Sequence, residues 1–182
     1  IRSVNEAEKV MAMPAAAWQV RRIATGSQAL AHEQTRRLAA SLLRNRAQGA
    51  PGLLGFTSVK PGSGHTTWLE ELARSLDALG QRVLLVRVEP PGPGALASGE
   101  PGLTDWLAGD VSRESLARPV PGTSERVAQV SMGRLAAQGI QRLDLLNQGL
   151  EAWGREHDFV LCDLPSLLLY ADVELLIPTL GQ

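Results

Sequence analysis

The residues of this sequence best placed to do chemistry lie in Lys60-Pro61-Gly62-Ser63-Gly64-His65-Thr66-Thr67. Small residues let backbone N–H groups turn toward phosphate oxygens, and a helix opening directly afterwards adds the positive end of its dipole. Gly62 and Gly64, flanking Ser63, give the room. The helix expected from about Thr66 gives the dipole, worth up to ~1 kcal/mol at an exposed helix end. A phosphate-binding loop of this kind also carries a lysine that reaches the terminal phosphates, followed by a hydroxyl for Mg²⁺. Thr66 keeps the hydroxyl, with Thr67 beside it, but the lysine position holds His65. An imidazole is shorter than a lysine side chain and is not a permanent cation at neutral pH. Glycines alone are a weak signal, so the elements around them decide.

Those elements come in the right order. Residues 53–58 are an apolar run of strand length, and residues 66–79 have helical spacing at Trp68, Leu69, Leu72, Leu76 and Leu79. Gly80 stands where a helix-ending glycine belongs, and residues 82–88 form a second strand rich in β-branched residues. Strand, loop, helix and strand make a βαβ unit, which implies a parallel sheet with helices on its faces. Beyond it come a Pro- and Gly-rich loop (89–102), short helices at 103–109 and 113–116, and a strand at 127–130. A helix at 141–155 carries Leu143, Leu146, Leu150 and Trp153 on one face, and the strand 159–163 ends in Asp163. A last helix is expected at 172–180. Upstream, residues 3–11 read as a short helix and 17–20 as a short strand. Residues 26–48 read as a long amphipathic helix with Leu30, Leu38, Leu42 and Leu43 toward one side. The expected architecture is α/β, a mostly parallel sheet flanked by helices. Residues 1–48 are expected to pack on or link to the core, and 49–182 to form the α/β domain.

Composition narrows the classes. In 182 residues, 44% are hydrophobic and 20% charged, the profile of a globular chain rather than a disordered one. A net charge of -1 gives no global attraction to nucleic acid or anionic lipid. No apolar run approaches the ~20 residues of a membrane span, and no signal peptide is expected within these residues. The single cysteine, Cys162, allows no internal disulfide and reads as a buried core thiol. The chain opens at Ile1 rather than a methionine and is expected to belong to something longer, including a strand after Gln182.

Ser58-Val59-Lys60-Pro61-Gly62-Ser63-Gly64-His65-Thr66 resembles the deviant Walker A loop of the MinD/ParA-type ATPases, whose pattern is K-G-G-x-G-K-[ST]. Its Pro-Gly form is the one seen in bacterial tyrosine kinases, and Lys60 falls on the signature lysine. Other blocks agree in order. Ser3 to Glu8 with Met13-Pro14 is similar to the short helix after the second membrane helix of polysaccharide co-polymerases. Glu33-Gln34-Thr35-Arg36-Arg37-Leu38 resembles the E-x-x-R-x-x-R oligomerisation helix, which makes Glu33, Arg36 and Arg37 interface candidates. Residues 102–109 look like the G-L-S-D-x-L-x-G block. The stretch from His157 to Pro165, followed by Asp172, is similar to the segment carrying the Walker B aspartate, here Asp163.

The departures carry as much weight. The Walker lysine is His65, the final arginine of the oligomerisation helix is Ala39, and the two acids of the Walker A′ strand are Arg87 and Glu89. Tyr170 is the sole tyrosine of the 182 residues, so the tyrosine-rich tail that such kinases phosphorylate is not among them and would be expected, if present, outside this segment. The resemblance implies an ATP or ADP site with Mg²⁺ held by Thr66 and Asp163, helped by Glu89. Phosphoryl transfer relies on charge stabilisation, and losing one such group costs around 10²–10³ in rate. A guanidinium about 5 Å from Mg²⁺ is disfavoured by roughly 6–7 kcal/mol at an effective dielectric near 20. Weak nucleotide binding or none is therefore expected, with Lys60 and Arg87 as candidates to lie on the phosphates. Plainer readings stand beside these: His65 and Lys60 as loop side chains, Asp163 as a turn cap, Arg36 and Arg37 as a solvated helix face. The four tryptophans read as core or groove packing.

The leading expectation is a pseudokinase-like domain in the cytoplasm, at the inner face of the bacterial inner membrane. It would regulate or scaffold exopolysaccharide synthesis and export. Its partners would be a membrane polysaccharide co-polymerase, or its own transmembrane region, and further copies of itself, with no nucleic acid. An active ATP-dependent tyrosine kinase with an atypical site is one alternative. A MinD/ParA-like positioning protein of a secretion or pilus machinery is the other.

Overall fold

Four apolar runs of strand length lie side by side in parallel, as the alternation of helix and strand requires. The computed structural model describes residues 27–50, 52–58, 64–88, 99–134 and 142–165. The elements expected at 3–11, 17–20 and 172–180, and the residues Lys60, Gly62, Ser63 and Glu89, lie outside the described residues. In chain order the elements are α1 (Ser27–Ala47), β1 (Leu53–Phe56), α2 (His65–Ala78), β2 (Val83–Arg87), α3 (Leu103–Ala108), a 3₁₀ turn (Arg113–Ser115), β3 (Arg118–Pro119), β4 (Val127–Val130), α4 (Leu143–Glu156) and β5 (Phe159–Asp163). The sheet order is β1-β5-β2-β4-β3, and only the two-residue β3 runs antiparallel.

Strand side chains alternate between faces, and the two layers of core follow that period. Leu84 and Val86 of β2 join Val160 and Cys162 of β5 under α3 and α4. Val83 and Leu85 join Phe159 and Leu161 on the opposite face, under Leu69, Leu72 and Leu76 of α2. Both strands are buried on both faces, which is why they read as continuous apolar runs. Cys162 is buried, and burial, aided by the neighbouring Asp163 carboxylate, pushes its thiol up to about 12. It is a packing residue and not a reactive one. Among the described residues no helix is long and apolar enough to cross a membrane.

Helix α1 packs on α2, and the face expected for it holds at Leu38, Leu42 and Leu43 but not at Leu30. The fully buried positions are Ala31, Thr35 and Ala39, one turn apart, with Leu38, Leu42 and Leu43 packed at their side. Leu30 stays 43% exposed. Small residues let two helices approach closely, so the buried stripe is marked by alanine instead of leucine. The Thr35 hydroxyl meets its hydrogen-bonding need locally by donating to Ala31 O at 3.0 Å. At the end of α2 a similar correction applies: Leu79 is the cap residue and 44% exposed, and the chain turns at Gly80 with φ +82°.

On the other face, Trp106 of α3 and Trp153 of α4 pack with ring centroids 5.7 Å apart. Gly149 makes this possible, because a Cβ there would stand 2.4 Å from the Trp106 ring. Gly149→Ala is therefore expected to cost about 2 kcal/mol, the usual penalty of overpacking a filled core. Chemical denaturation measures it; an unchanged midpoint would mean that Trp106 has room to move aside.

Candidate functional site

Parallel register brings the ends of three strands to one row. Phe56 of β1 is level with Asp163 of β5, and Asp163 is level with Arg87 of β2. By the alternation above, Arg87 follows Val83 and Leu85, and Asp163 follows Phe159 and Leu161, so both side chains belong to the face covered by α2. The first two turns of α2 stand over that row and supply His65, Thr66 and, one turn after Thr66, Glu70. Gly64 starts the helix in the left-handed region at φ +80°, a conformation costly for a residue with a side chain. The first amide bonded within the helix is that of Trp68, which donates to Gly64 O at 3.1 Å. Amides of a first helical turn have no acceptor in their own helix, the property that suits such a terminus to an anion.

The side chains meet in one ionic chain. Arg87 Nη2 donates to Glu70 Oε1 at 2.5 Å, and Arg87 Nη1 lies 3.5 Å from Asp163 Oδ2. His65 Nε2 stands 3.0 Å from Asp163 Oδ1 and 3.3 Å from Leu164 O. Its alignment favours the carbonyl, so the contact with Oδ1 is one of proximity and charge rather than a directed hydrogen bond. The Asp163 side chain is 4% exposed. Burial pushes its carboxyl above the usual carboxylate range, while the Thr66 hydroxyl, His65 and Arg87 pull it down and Glu70 adds to the rise.

The loops around the row are tied to one another. Leu164 N–H donates to Phe56 O and Val88 N–H to Asp163 O, at 2.8 and 2.9 Å. The Thr57 hydroxyl donates to Pro165 O at 2.7 Å. A second clamp holds the segment leaving β4. Asp105, fully buried at position N3 of α3, accepts the Gly102 and Arg134 backbone N–H groups, each at 2.9 Å, and Arg134 Nε at 2.7 Å. Burial alone would raise this carboxyl; those donors outweigh it and hold Asp105 below its ordinary value.

The structure thus brings together Gly64, His65, Thr66, Arg87 and Asp163, with Thr67 exposed on the outer side of the same turn. Arg87, a candidate to lie on phosphates, is instead turned to Glu70 and Asp163. Glu33, Arg36 and Arg37 stand away from this row on the exposed face of α1, with Arg37 Nε 3.3 Å from Glu33 Oε1. Together with Arg74, Ala78 and Leu79 of the α2 end they line an open groove of about 490 Å³. Sequence reasoning missed Glu70. Its spacing of four from Thr66 was the available signal, since i and i+4 share a helix face.

The donor set decides which groups the row can hold. A divalent cation on Thr66 and Asp163 would need the space beside Asp163 Oδ2 that the Arg87 guanidinium fills, and would meet its charge there. The residues present do not fit a resident Mg²⁺. The left-handed glycine and the opening turn of α2 do fit a phosphate group.

No protein-family model matches the chain, and a search of curated proteins finds no match either. Solved structures do match. The kinase domain of the Escherichia coli tyrosine kinase ETK is 23% identical with a TM-score of 0.72, over 83% of this chain and 61% of that one. The BceF tyrosine kinase domain is 22% identical with a TM-score of 0.77, over 100% of this chain and 83% of that one. The septum site-determining protein MinD of Pyrococcus horikoshii, solved with Mg-ADP, is 22% identical with a TM-score of 0.51, over 62% and 48%. The chain therefore has the fold of the bacterial tyrosine kinase domains and of MinD-type P-loop proteins, and spans about three fifths of the ETK domain.

Proposed function

We propose that this chain is a non-catalytic relative of the bacterial tyrosine kinases, one that regulates or scaffolds exopolysaccharide synthesis and export. The observation that carries this reading is the pairing of Arg87 with both Glu70 and Asp163. Transfer of a γ-phosphoryl group needs a metal ion that bridges the phosphates and an acid that holds it. Here the acid is buried, its carboxyl is raised, and its Oδ2 edge faces a guanidinium. His65 adds no fixed cation where a lysine would neutralise the developing charge.

The reading has a spatial side as well. The resemblance of Ser3 to Glu8 with Met13-Pro14 to polysaccharide co-polymerases supports a role beside membrane machinery, reached from the cytoplasm through a membrane co-polymerase or the chain's own flanking region. The exposed Glu33, Arg36 and Arg37 of α1 supply a charged face for a second copy of the chain. Loss of catalysis leaves such surfaces intact, so a scaffold can survive the decay of a pocket.

The full chain, incubated with ATP and Mg²⁺, is expected to form no phosphotyrosine on itself or on an added tyrosine-rich tail peptide, as read by anti-phosphotyrosine blotting and mass spectrometry. Phosphotyrosine that appears with the wild type and disappears with Asp163→Asn would replace this reading by that of an active kinase.

A further inference from the structure

Arginine at the end of β2 would be costly against a row built for phosphate and metal unless something held it. Glu70 holds it. The side chain reaches down from α2, takes Arg87 Nη2 at 2.5 Å, and has Arg74 Nη2 at 3.8 Å on its other oxygen. With one end on Glu70 and the other 3.5 Å from Asp163, the guanidinium lies between two carboxyl groups from two different elements. A planar fork with several donors suits that bridging position better than an ammonium would. The Arg87 side chain is 26% exposed and that of Asp163 4%, so the inner contact is shielded from water more than the outer one.

We infer that Arg87, clamped by Glu70, takes the place of the divalent cation in this pocket, so that the site rejects Mg²⁺ and holds any nucleotide without metal. The inference rests on the non-catalytic reading and deepens it, because it names what replaced the ion. A guanidinium satisfies a carboxylate as a metal does, but it brings one positive charge instead of two and cannot share its ligands with an incoming ion. Metal could reach Asp163 Oδ2 only by displacing the Arg87 guanidinium from it, against the hold of Glu70. Among the described residues no cluster of three or more His, Cys, Asp or Glu side chains offers a second place for it. A phosphate group, by contrast, can approach Arg87 and the opening turn of α2 as a direct partner.

Two measurements on the full chain test this. Retention of Mn²⁺, an Mg²⁺ surrogate visible by electron paramagnetic resonance, reports the metal alone. Calorimetric titration of ADP in excess Mg²⁺ and in EDTA reports its linkage to nucleotide. The expected wild type retains no Mn²⁺ and binds ADP no more tightly with Mg²⁺ than without it. Arg87→Asp is expected to retain Mn²⁺, and Arg87→Gln, which removes the charge without adding a third acid and should fold if the first variant does not, to retain it more weakly. The inference is overturned if the wild type holds Mn²⁺, if Mg²⁺ strengthens ADP binding about tenfold or more, or if a folded Arg87 variant still refuses the ion. If ADP binds in neither buffer, the Mn²⁺ arm alone decides. Mg²⁺-dependent ADP binding without phosphotyrosine would defeat this inference and leave the non-catalytic reading standing; phosphotyrosine would defeat that reading itself.

Discussion

The double substitution His65→Lys with Arg87→Asp is expected to raise affinity for ATP·Mg²⁺ about a hundredfold over the wild type. Two changes act together. Lysine restores a fixed cation at the start of α2, and a charge-assisted hydrogen bond of that kind contributes about 1.5–3 kcal/mol. Removing the guanidinium from 3.5 Å off Asp163 also lifts a repulsion with the metal. The bare Coulomb figure for that repulsion is roughly 6–7 kcal/mol at 5 Å and a dielectric near 20. Most of it should not be realised, because the Arg87 side chain is 26% exposed and its charge is largely neutralised by Glu70. A combined gain of about 3 kcal/mol corresponds to two orders of magnitude in affinity. The single change His65→Lys should do less than half of this, since it adds a cation while Arg87 remains, and neighbouring substitutions do not add. The double variant should also become metal-dependent in stability. A carboxylate at position 87 faces Glu70 and Asp163, three acids that repel without an ion, so Mg²⁺ should raise the melting temperature by linkage. Calorimetry and thermal melts in EDTA and Mg²⁺ measure both effects. No gain in affinity would place the obstacle in the backbone of the loop rather than in its charges.

What the sequence disclosed and what it hid divide along physical lines. Strands β2 and β5 were legible because burial on both faces leaves an unbroken apolar run, and Asp163 was legible because it ends one. The helix of the βαβ unit was legible from its spacing and from Gly80. The antiparallel β3 was not, since two exposed residues, one of them proline, leave no pattern to read. The buried face of α1 was misjudged at Leu30 for a different reason. Hydrophobicity marks what prefers burial, whereas a close helix crossing selects for small size, and Ala31, Thr35 and Ala39 answer to that. Glu70 was passed over, despite its spacing of four from Thr66, because an acid on a helix is ordinarily a solvated one. Its ordinary helix partner is Arg74, and the register that sets Arg87 beside Asp163 adds the second, buried-side partner. The charge reversal at the end of β2 was therefore readable from one strand, and its compensation was not, because that lay on another element 17 residues earlier.

Asp105→Ala is expected to destabilise the fold by about 3 kcal/mol and to loosen the segment that leaves β4. Asp105 is fully buried and accepts three donors, two of them backbone N–H groups. Leaving a buried donor unsatisfied costs about 1–3 kcal/mol, and the helix also loses its cap. The Arg134 contact adds less than its 2.7 Å length suggests, because the Arg134 side chain is 47% exposed and water can replace the carboxylate. Gly102 and Gly133 cannot relax inward, since each already sits against the other's backbone. The effect should depend on pH in one direction. The folded carboxyl titrates below its ordinary 3.8, so its contribution is complete above that value and fades as the pH falls through the folded one. Wild type and variant should then converge in acid and differ most near neutrality, in urea denaturation measured across that range. Asp105→Asn, which keeps the shape and places an amide against the same donors, should recover little. A constant difference at every pH would assign the loss to packing and remove the carboxylate's charge from the account.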